Sequence, residues 1–194
     1  YWRCANFGDQ LNEWLWKSLL GEVCESEEYL LVGIGTILSV DVPYHERRLV
    51  FGSGAGYKAP PQVDETWEFF AVRGPRTCKA LGLQPRLAIG DGATLVRCID
   101  LPDVESTEGK LFIPHHISAE QWDWQEFCEG EQLEYVAPSD DPLSVISRIR
   151  QARVVYTEAM HGAILADAFR VPWVPLRIYP HINSVKWMDW LDAM

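Results

Sequence analysis

Hydrophobic and polar positions follow a repeated strand-and-helix rhythm along this chain, most clearly over residues 153–176. Residues 153–156 are β-branched and aromatic without polar alternation, which predicts a strand covered on both faces. Thr157 is the predicted cap of an Ala- and Gly-rich helix, which Pro172 stops before the apolar residues 173–176. A unit of this kind predicts two parallel strands joined by a right-handed crossover.

The same rhythm extends back to residue 111. Further strands are predicted at residues 111–113 and 133–136, and Ser118 and Gln121 fit the capping box of a helix to about residue 129. Asp141 and Pro142 open another helix. Four strands separated by three helices predict a parallel, Rossmann-like sheet in the C-terminal half.

The N-terminal half has a less regular pattern. Leu11, Leu15 and Leu19 form one apolar stripe of a helix, and strands are predicted at residues 29–33, 48–51, 67–72 and 87–89. Residues 100–110 are polar, acidic and rich in turn formers, as expected of a linker. We therefore expect an N-terminal α/β half over residues 1–100, a Rossmann-like half over 101–180, and a helix in 181–194 that recrosses towards the N-terminal half.

Composition narrows the function classes. The 194 residues are 47% hydrophobic, enough for a sizeable core, and carry a formal net charge of −11. This charge argues against nonspecific binding to nucleic acids or anionic membranes, and no apolar run approaches the ~20 residues of a membrane span. Five scattered cysteines without a CxxC pair favour reduced thiols over a disulfide framework or zinc site, and hence a cytoplasmic location. Because Tyr1 falls inside a predicted strand, we expect residues to be missing before it.

Histidines follow two of the predicted strands. His115 and His116 come after strand 111–113, and His161 lies in the first turn after strand 153–156. The carboxyl ends of parallel strands share one edge, where open α/β sheets bind ligands. Packing remains an alternative for a single histidine, and a zinc site lacks the cysteine or carboxylate that would complete it.

Other polar residues also mark strand and helix ends. Arg73 ends strand 67–72 at a helix entry, where arginine can bind phosphate or carboxylate, although a surface role is the alternative. The glycines of turn 52–56 can expose backbone N–H groups to an anion. Gly8 and Asp9 fit a tight turn and a helix cap, at a helix N-terminus that can also bind ligands. The tryptophans in polar contexts (Trp14, Trp16, Trp122, Trp124) suit sugar stacking or ordinary packing.

The segment around His161 resembles the C-terminal signature of the polysaccharide pyruvyl transferase family, an Arg-Leu-His-Gly run that opens an Ala-rich helix. His161 and Gly162 match that run, and Ala159 stands where the family has arginine. Similarity to family motifs, including Asn-x-Gly-Asp, is spread over most of the chain, at residues 6–12, 52–57, 72–77, 90–93, 114–116, 157–172 and 183–190.

This resemblance, closest to bacterial succinoglycan-type members, implies two Rossmann-like halves that face a cleft in the GT-B manner. It implies transfer of a pyruvyl group from phosphoenolpyruvate, the donor substrate, to two sugar hydroxyls of an exopolysaccharide or its lipid-linked precursor. The product is a cyclic ketal, made in the cytoplasm at the inner face of the membrane, with no cofactor or metal. The implied catalytic residues are His161 with His116 or His115. The implied substrate-binding residues are Asn6, Gly8, Asp9, Ser53, Gly54, Arg73 and Lys186.

Two alternatives remain open at this stage. A GT-B glycosyltransferase that uses a nucleotide sugar needs an acidic residue to bind the ribose, and Glu158 is the candidate. A catalytically silent binding protein of the same fold is the second alternative, because Ala159 replaces the family arginine.

Overall fold

The computed structural model describes residues 6–194 and shows an α/β protein with two parallel sheets. The strand predicted at residues 1–4 lies outside the described residues. None of the helices in this described part is long and apolar enough to cross a membrane.

The first sheet has three parallel strands in the order β1 (Leu30–Val32), β2 (Arg48–Phe51), β3 (Trp67–Ala71). The chain enters it through α1 (Phe7–Leu20) and a 3₁₀ turn at Gly21–Glu25. Helix α2 (Pro75–Leu81) follows β3. Val32, Val50 and Val72 are fully or almost fully buried between the sheet and its helices.

The prediction of a strand at residues 87–89 was wrong. Pro85–Leu87 forms a 3₁₀ turn instead, closed by the Ala88 N–H donating to the Pro85 carbonyl at 3.0 Å. Only a single parallel bridge joins Val72 to Ala88, because Gly90 (φ 140°) turns the chain away directly afterwards. A second 3₁₀ segment runs over Gly92–Cys98.

The second sheet contains the four strands predicted in the C-terminal half. Its order is β5 (Glu134–Tyr135), β4 (Lys110–Ile113), β6 (Val154–Thr157), β7 (Trp173–Pro175), and every neighbouring pair is parallel. The predicted parallel sheet is confirmed. Because β4 and β6 are adjacent and parallel, the segments carrying His115–His116 and His161 leave the same edge of the sheet.

The helices around this sheet differ from the prediction in two places. The single helix expected to residue 129 is two helices, α3 (His116–Ala119) and α4 (Trp124–Gly130), because two caps replace one. His115 Nδ1 accepts from the Ile117 N–H at 3.3 Å, and the Asp123 carboxylate accepts from the Glu126 N–H at 3.2 Å. The remaining helices of the described chain are α5 (Pro142–Gln151), α6 (Met160–Ala168) and α7 (Ser184–Leu191).

Thr157 does not cap α6 as predicted. Ala159 is the residue that precedes α6, and it makes no side-chain cap. The Thr157 hydroxyl instead accepts from the Ala159 N–H at 2.9 Å and lies 3.0 Å from the Ile113 carbonyl, so it ties the ends of β4 and β6 together.

The chain forms two compact units. The four-stranded unit comprises residues 6–11 and Val96–Ile182, and the three-stranded unit comprises Asn12–Leu95 and Asn183–Met194. The first turn of α1 therefore belongs to the four-stranded unit, and α7 belongs to the three-stranded unit. The expected functional division at 1–100, 101–180 and 181–194 stays a prediction, as does the cleft between two facing halves.

Candidate functional site

His161 is the second residue of α6 and is partly exposed, whereas most of this helix is buried. Gly162 beside it allows a close approach, since a Cβ there would lie 2.8 Å from Thr157 Oγ1 and 3.2 Å from Ile113 Cδ1 and would force these side chains to shift. The start of α6 therefore packs directly on the ends of β4 and β6. This close packing holds His161 at the carboxyl edge of the four-stranded sheet.

Gly8 lies against the imidazole of His161. A Cβ built on Gly8 would be 2.0 Å from His161 Nδ1, so a side chain at this position would displace the ring. Both residues belong to the four-stranded unit, although 150 residues separate them in the sequence. Gly8 thus serves a close approach between two segments that resemble family motifs, rather than only a local turn.

Asn6 and Asp9 fix the start of α1 around Gly8. The Asn6 Oδ1 accepts from the Asp9 N–H at 2.9 Å, and the Asp9 carboxylate accepts from Asn6 Nδ2 at 2.7 Å. The Phe7 N–H donates to the Pro138 carbonyl at 2.7 Å, which joins this turn to the loop after β5. These reciprocal bonds resemble a capping box and place Gly8 where it contacts His161.

His115 and His116 lie side by side after β4, with ring centroids 4.2 Å apart. A third histidine joins them: the His181 ring lies 5.3 Å from that of His115, and its Nε2 is 3.0 Å from Ser118 Oγ. His181 is not among the site residues predicted from the sequence. The available signal was its place in the loop after a fourth parallel strand, since β7 ends six residues earlier.

Glu158 ties the loops of this edge together. Its side chain is fully buried, and Oε1 accepts from the N–H groups of Ile178 and Tyr179 at 2.8 and 3.3 Å. Oε2 accepts from the His115 N–H at 3.4 Å. Both carboxylate oxygens are therefore used to hold the loops after β4 and β7, which makes Glu158 a structural residue of the histidine-bearing edge.

Arg73 lies at the corresponding edge of the three-stranded sheet and is fully buried. Its Nε donates to Asp189 Oδ2 at 3.0 Å, Nη1 to Thr36 Oγ1 at 2.7 Å, and Nη2 to the Ala55 carbonyl at 2.9 Å. Asp189, on α7, also accepts from the N–H and hydroxyl of Thr77 at 2.9 and 2.6 Å. The buried ion pair thus joins α7 to the loops after β1, β2 and β3, and all three guanidinium nitrogens donate to protein groups.

The glycine-rich turn after β2 packs around this ion pair. A Cβ on Gly54 would lie 2.2 Å from Arg73 Cζ, and one on Gly52 (φ 86°) would lie 2.2 Å from the Gly92 nitrogen. The Gly52, Gly54 and Ala55 N–H groups donate to Ala71, Gly35 and Thr77 respectively. Ser53 is fully buried, and its hydroxyl donates to the carbonyls of Val32 and Gly33. These contacts give Ser53, Gly54 and Arg73 a structural role. Substrate binding by the same three residues stays a prediction.

Lys186 and Asp91 are two further buried charged groups of the three-stranded unit. Lys186 Nζ donates to the Tyr57 hydroxyl at 2.7 Å. Asp91 Oδ1 accepts from the Ala93 N–H at 3.0 Å. Burial raises the pKa of Asp91 to about 6, although the positive charges of Arg73 and Lys186 act in the opposite direction. In the sequence, Asp91 is recognisable only as part of the turn at residues 90–93, since its burial depends on residues distant in the chain.

Among residues 6–194, no group of three or more His, Cys, Asp or Glu side chains is arranged to hold a metal ion. Cys24, Cys78, Cys98 and Cys128 are free thiols, and Cys4 lies outside the described residues.

The fold and the histidine-bearing edge define an α/β protein with Rossmann-like parallel sheets. The model of the family described as polysaccharide pyruvyl transferase matches residues 49–178, more than half of the chain, and the chain belongs to this family. It is also 41% identical, over 203 aligned positions, to the succinoglycan biosynthesis protein ExoV of Rhizobium meliloti (strain 1021). That alignment covers 100% of this chain and 64% of ExoV, so the chain spans less than two thirds of this relative. No solved structure matches the chain.

Proposed function

We propose that this chain belongs to an enzyme that transfers a pyruvyl group from phosphoenolpyruvate to two hydroxyls of a saccharide during exopolysaccharide synthesis. Family membership and the relative named for succinoglycan biosynthesis support this proposal. The observation that carries it is the contact of Gly8 with His161 at the carboxyl edge of the four-stranded sheet. Two distant family-like segments meet there around a partly exposed imidazole.

The proposed reaction needs one proton donor and one proton acceptor. A proton added to the methylene carbon of phosphoenolpyruvate leaves a cationic carbon that the first sugar hydroxyl attacks, and this hydroxyl loses its proton to a base. The second hydroxyl then displaces phosphate, which departs with that hydroxyl's proton, and the ketal ring closes. An unperturbed imidazole titrates at pH ~6.5, so histidine can serve either role at neutral pH.

We assign the proton transfer to the methylene carbon to His161. Gly8 lies against its ring, Gly162 lets the start of α6 pack closely on β4 and β6, and α6 places the ring near the positive end of a helix dipole. An anionic substrate would offset that dipole, so we expect His161 to gain its proton as phosphoenolpyruvate binds. His116, with His115 beside it, is the proposed partner, because it leaves the adjacent parallel strand.

Among the proposed substrate-binding residues, the contacts support direct contact with the substrate for some and positioning of a neighbouring turn for others. Asn6 and Asp9 are partly exposed around Gly8 and are proposed to line the phosphoenolpyruvate site. Arg73 is proposed to act by positioning, since it fixes the turn that contains Ser53 and Gly54. Lys186 is proposed as a cationic helper of the same unit. Action on a lipid-linked precursor at the inner membrane face stays a prediction.

No observation favours the two alternatives. A nucleotide-sugar glycosyltransferase would need Glu158 for the ribose, but backbone amides occupy both of its oxygens. The alternative of a catalytically silent binding protein rests on Ala159. This residue lies at the start of α6, where its backbone N–H donates to the Thr157 hydroxyl.

The test is to mix the protein with phosphoenolpyruvate and a saccharide acceptor, and to follow phosphate release together with the ketal methyl signal by NMR. We expect both to appear in equal amounts. We also expect phosphoenolpyruvate at about 100 times its Kd to stabilise the fold by ~2.7 kcal/mol. Stabilisation by nucleotide sugars instead, with no release of phosphate from phosphoenolpyruvate, would contradict the proposal.

A further inference from the structure

Trp122 is exposed, unlike the other tryptophans of the described chain. Its relative exposure is 64%, whereas Trp124, two residues later, is 6% exposed. Phe127, on the next turn of α4, is also exposed at 41%. Single exposed apolar side chains are common on proteins, but two neighbouring exposed aromatic rings form a contiguous apolar patch, and such a patch is a candidate binding surface.

The two exposed rings are held in place by buried neighbours. Trp122 lies 5.9 Å from Trp124 and 6.4 Å from Phe127 between ring centroids. Trp124 is itself anchored, because its indole N–H donates to the Ser118 carbonyl at 2.7 Å and its ring packs 5.0 Å from Phe112 of β4. The surface is therefore preorganised, which lowers the entropic cost of binding.

A row of rings leads from this surface to the histidines of the proposed site, all within the four-stranded unit. Successive ring centroids are 5.9, 6.4, 5.6, 5.3 and 4.2 Å apart along Trp122, Trp124, Tyr179, His181, His115 and His116. Trp124 and His115 are buried within this row, so the row fixes the position of the exposed Trp122 relative to the histidines.

The surroundings of Trp122 favour a neutral, hydroxylated ligand. No lysine or arginine occurs in residues 111–147, and the exposed side chains of this segment include Glu120, Gln121, Asp123, Gln125 and Glu126. Carboxylates and amides form hydrogen bonds with sugar hydroxyls, and the carboxylates repel nucleic acids and anionic lipid surfaces. Aromatic faces flanked by such groups suit the C–H faces of sugar rings.

We propose that Trp122 and Phe127 form a subsite for the saccharide chain, one that binds sugar units beyond those that react. This inference rests on the proposed function for the identity of the reacting units. Binding itself can be measured without turnover, so the two can fail separately.

The experiment measures binding of neutral hexasaccharides of β-linked glucose and β-linked galactose to the whole chain by NMR titration, each against its methyl monosaccharide. The variants are Trp122→Ala and the control Tyr44→Ala, which removes a ring of similar or greater exposure (75%) from the three-stranded unit. We expect Trp122→Ala to weaken hexasaccharide binding by about tenfold. Tyr44→Ala should leave it unchanged, and monosaccharides should show no dependence on Trp122. In pyruvyl transfer, Trp122→Ala should raise KM for a long acceptor with little change in kcat or in KM for phosphoenolpyruvate.

Three results would overturn the inference: hexasaccharide binding unaffected by Trp122→Ala, a Trp122-dependent response to phosphatidylcholine vesicles instead of saccharides, or self-association that Trp122→Ala abolishes. If hexasaccharides bind through Trp122 but no pyruvyl group is transferred, the subsite stands and the proposed function fails. If pyruvyl transfer occurs and Trp122→Ala leaves the KM for the acceptor unchanged, the proposed function stands and the subsite fails.

Discussion

The carboxyl edges of the two parallel sheets use charged and titratable residues in opposite ways. At the three-stranded sheet, Arg73 follows its strand and is fully buried in an ion pair with Asp189. At the four-stranded sheet, His116 and His161 follow their strands and remain partly exposed. At both edges the residues in question come shortly after parallel strands. The difference in their burial therefore comes from the groups that pack on them.

At each edge a glycine allows a neighbouring segment to pack directly on the charged or titratable side chain, but the two side chains end up differently exposed. Gly54 lets the turn after β2 lie directly on the Arg73 guanidinium, which closes that edge. Gly8 lets α1 begin directly against the His161 ring, which leaves the imidazole positioned and partly accessible. A polar residue that follows a strand can therefore be enclosed within the fold, as Arg73 is, or stay partly exposed, as His161 is. We expect the three-stranded edge to respond to mutation mainly in stability and the four-stranded edge mainly in activity.

The largest expected effect on stability is that of Arg73→Met. It leaves Asp189 buried without its cation, which should lower the free energy of unfolding by about 3–5 kcal/mol. Urea denaturation measures this loss. The double variant Arg73→Met/Asp189→Asn should recover a large part of it, because the uncompensated charge is gone.

Arg76 offers a matched control. It pairs with Asp192 at 3.0 Å between α2 and the residue after α7, but both side chains are exposed. Arg76→Met should cost less than about 1 kcal/mol. Equal losses for the two variants would mean that burial does not distinguish the Arg73 pair, and the contrast between the two edges would lose its basis.

Asp91 should make the three-stranded unit sensitive to pH. Because burial raises the pKa of Asp91 to about 6, the folded state binds this proton more tightly than the unfolded chain. Its contribution to stability should therefore fall as pH rises from about 4 to 6, by about 3 kcal/mol in all. Asp91→Asn removes this dependence, so the variant should gain about that much relative to wild type between pH 4 and pH 7 in urea denaturation. Asp100→Asn, at an exposed carboxylate, controls for net charge, and parallel curves for Asp91→Asn and wild type would contradict the assignment.

Gly8→Ala tests the four-stranded edge. The added Cβ would lie 2.0 Å from His161 Nδ1, and a side chain can rotate away, so we expect a displaced imidazole in an intact fold. A misplacement of this size should lower turnover by about 10²-fold. Gly130→Ala is the matched control, because a Cβ there meets nothing within 4 Å. Full activity of Gly8→Ala would separate Gly8 from the reaction.

Sequence patterning predicted what depends on local order. The apolar strands, the alternating helices and the shared edge of His116 and His161 follow from periodicity and the geometry of parallel strands, and the structure has the sheet that these predicted. Family membership, expected from scattered motifs, is likewise confirmed.

Features that depend on long-range contacts were not predictable in this way. Arg73 and Asp189 are 116 residues apart, and no local pattern indicates that they pair. The contact of Gly8 with His161 and the three amides that bind Glu158 also join segments distant in the chain. The wrong strand at residues 87–89 has a local cause, since its apolar residues outweighed the turn-forming Pro85 and Gly90 that flank them.

The most direct test of the central claim, that His161 transfers the proton, is the turnover of His161→Gln measured together with its melting temperature. Glutamine keeps much of the size and hydrogen bonding of histidine but does not titrate. We expect turnover of phosphoenolpyruvate to fall by about 10²–10⁴-fold with the melting temperature nearly unchanged. A variant that keeps its rate and melts several degrees lower would show that His161 is a packing residue, and would contradict the account.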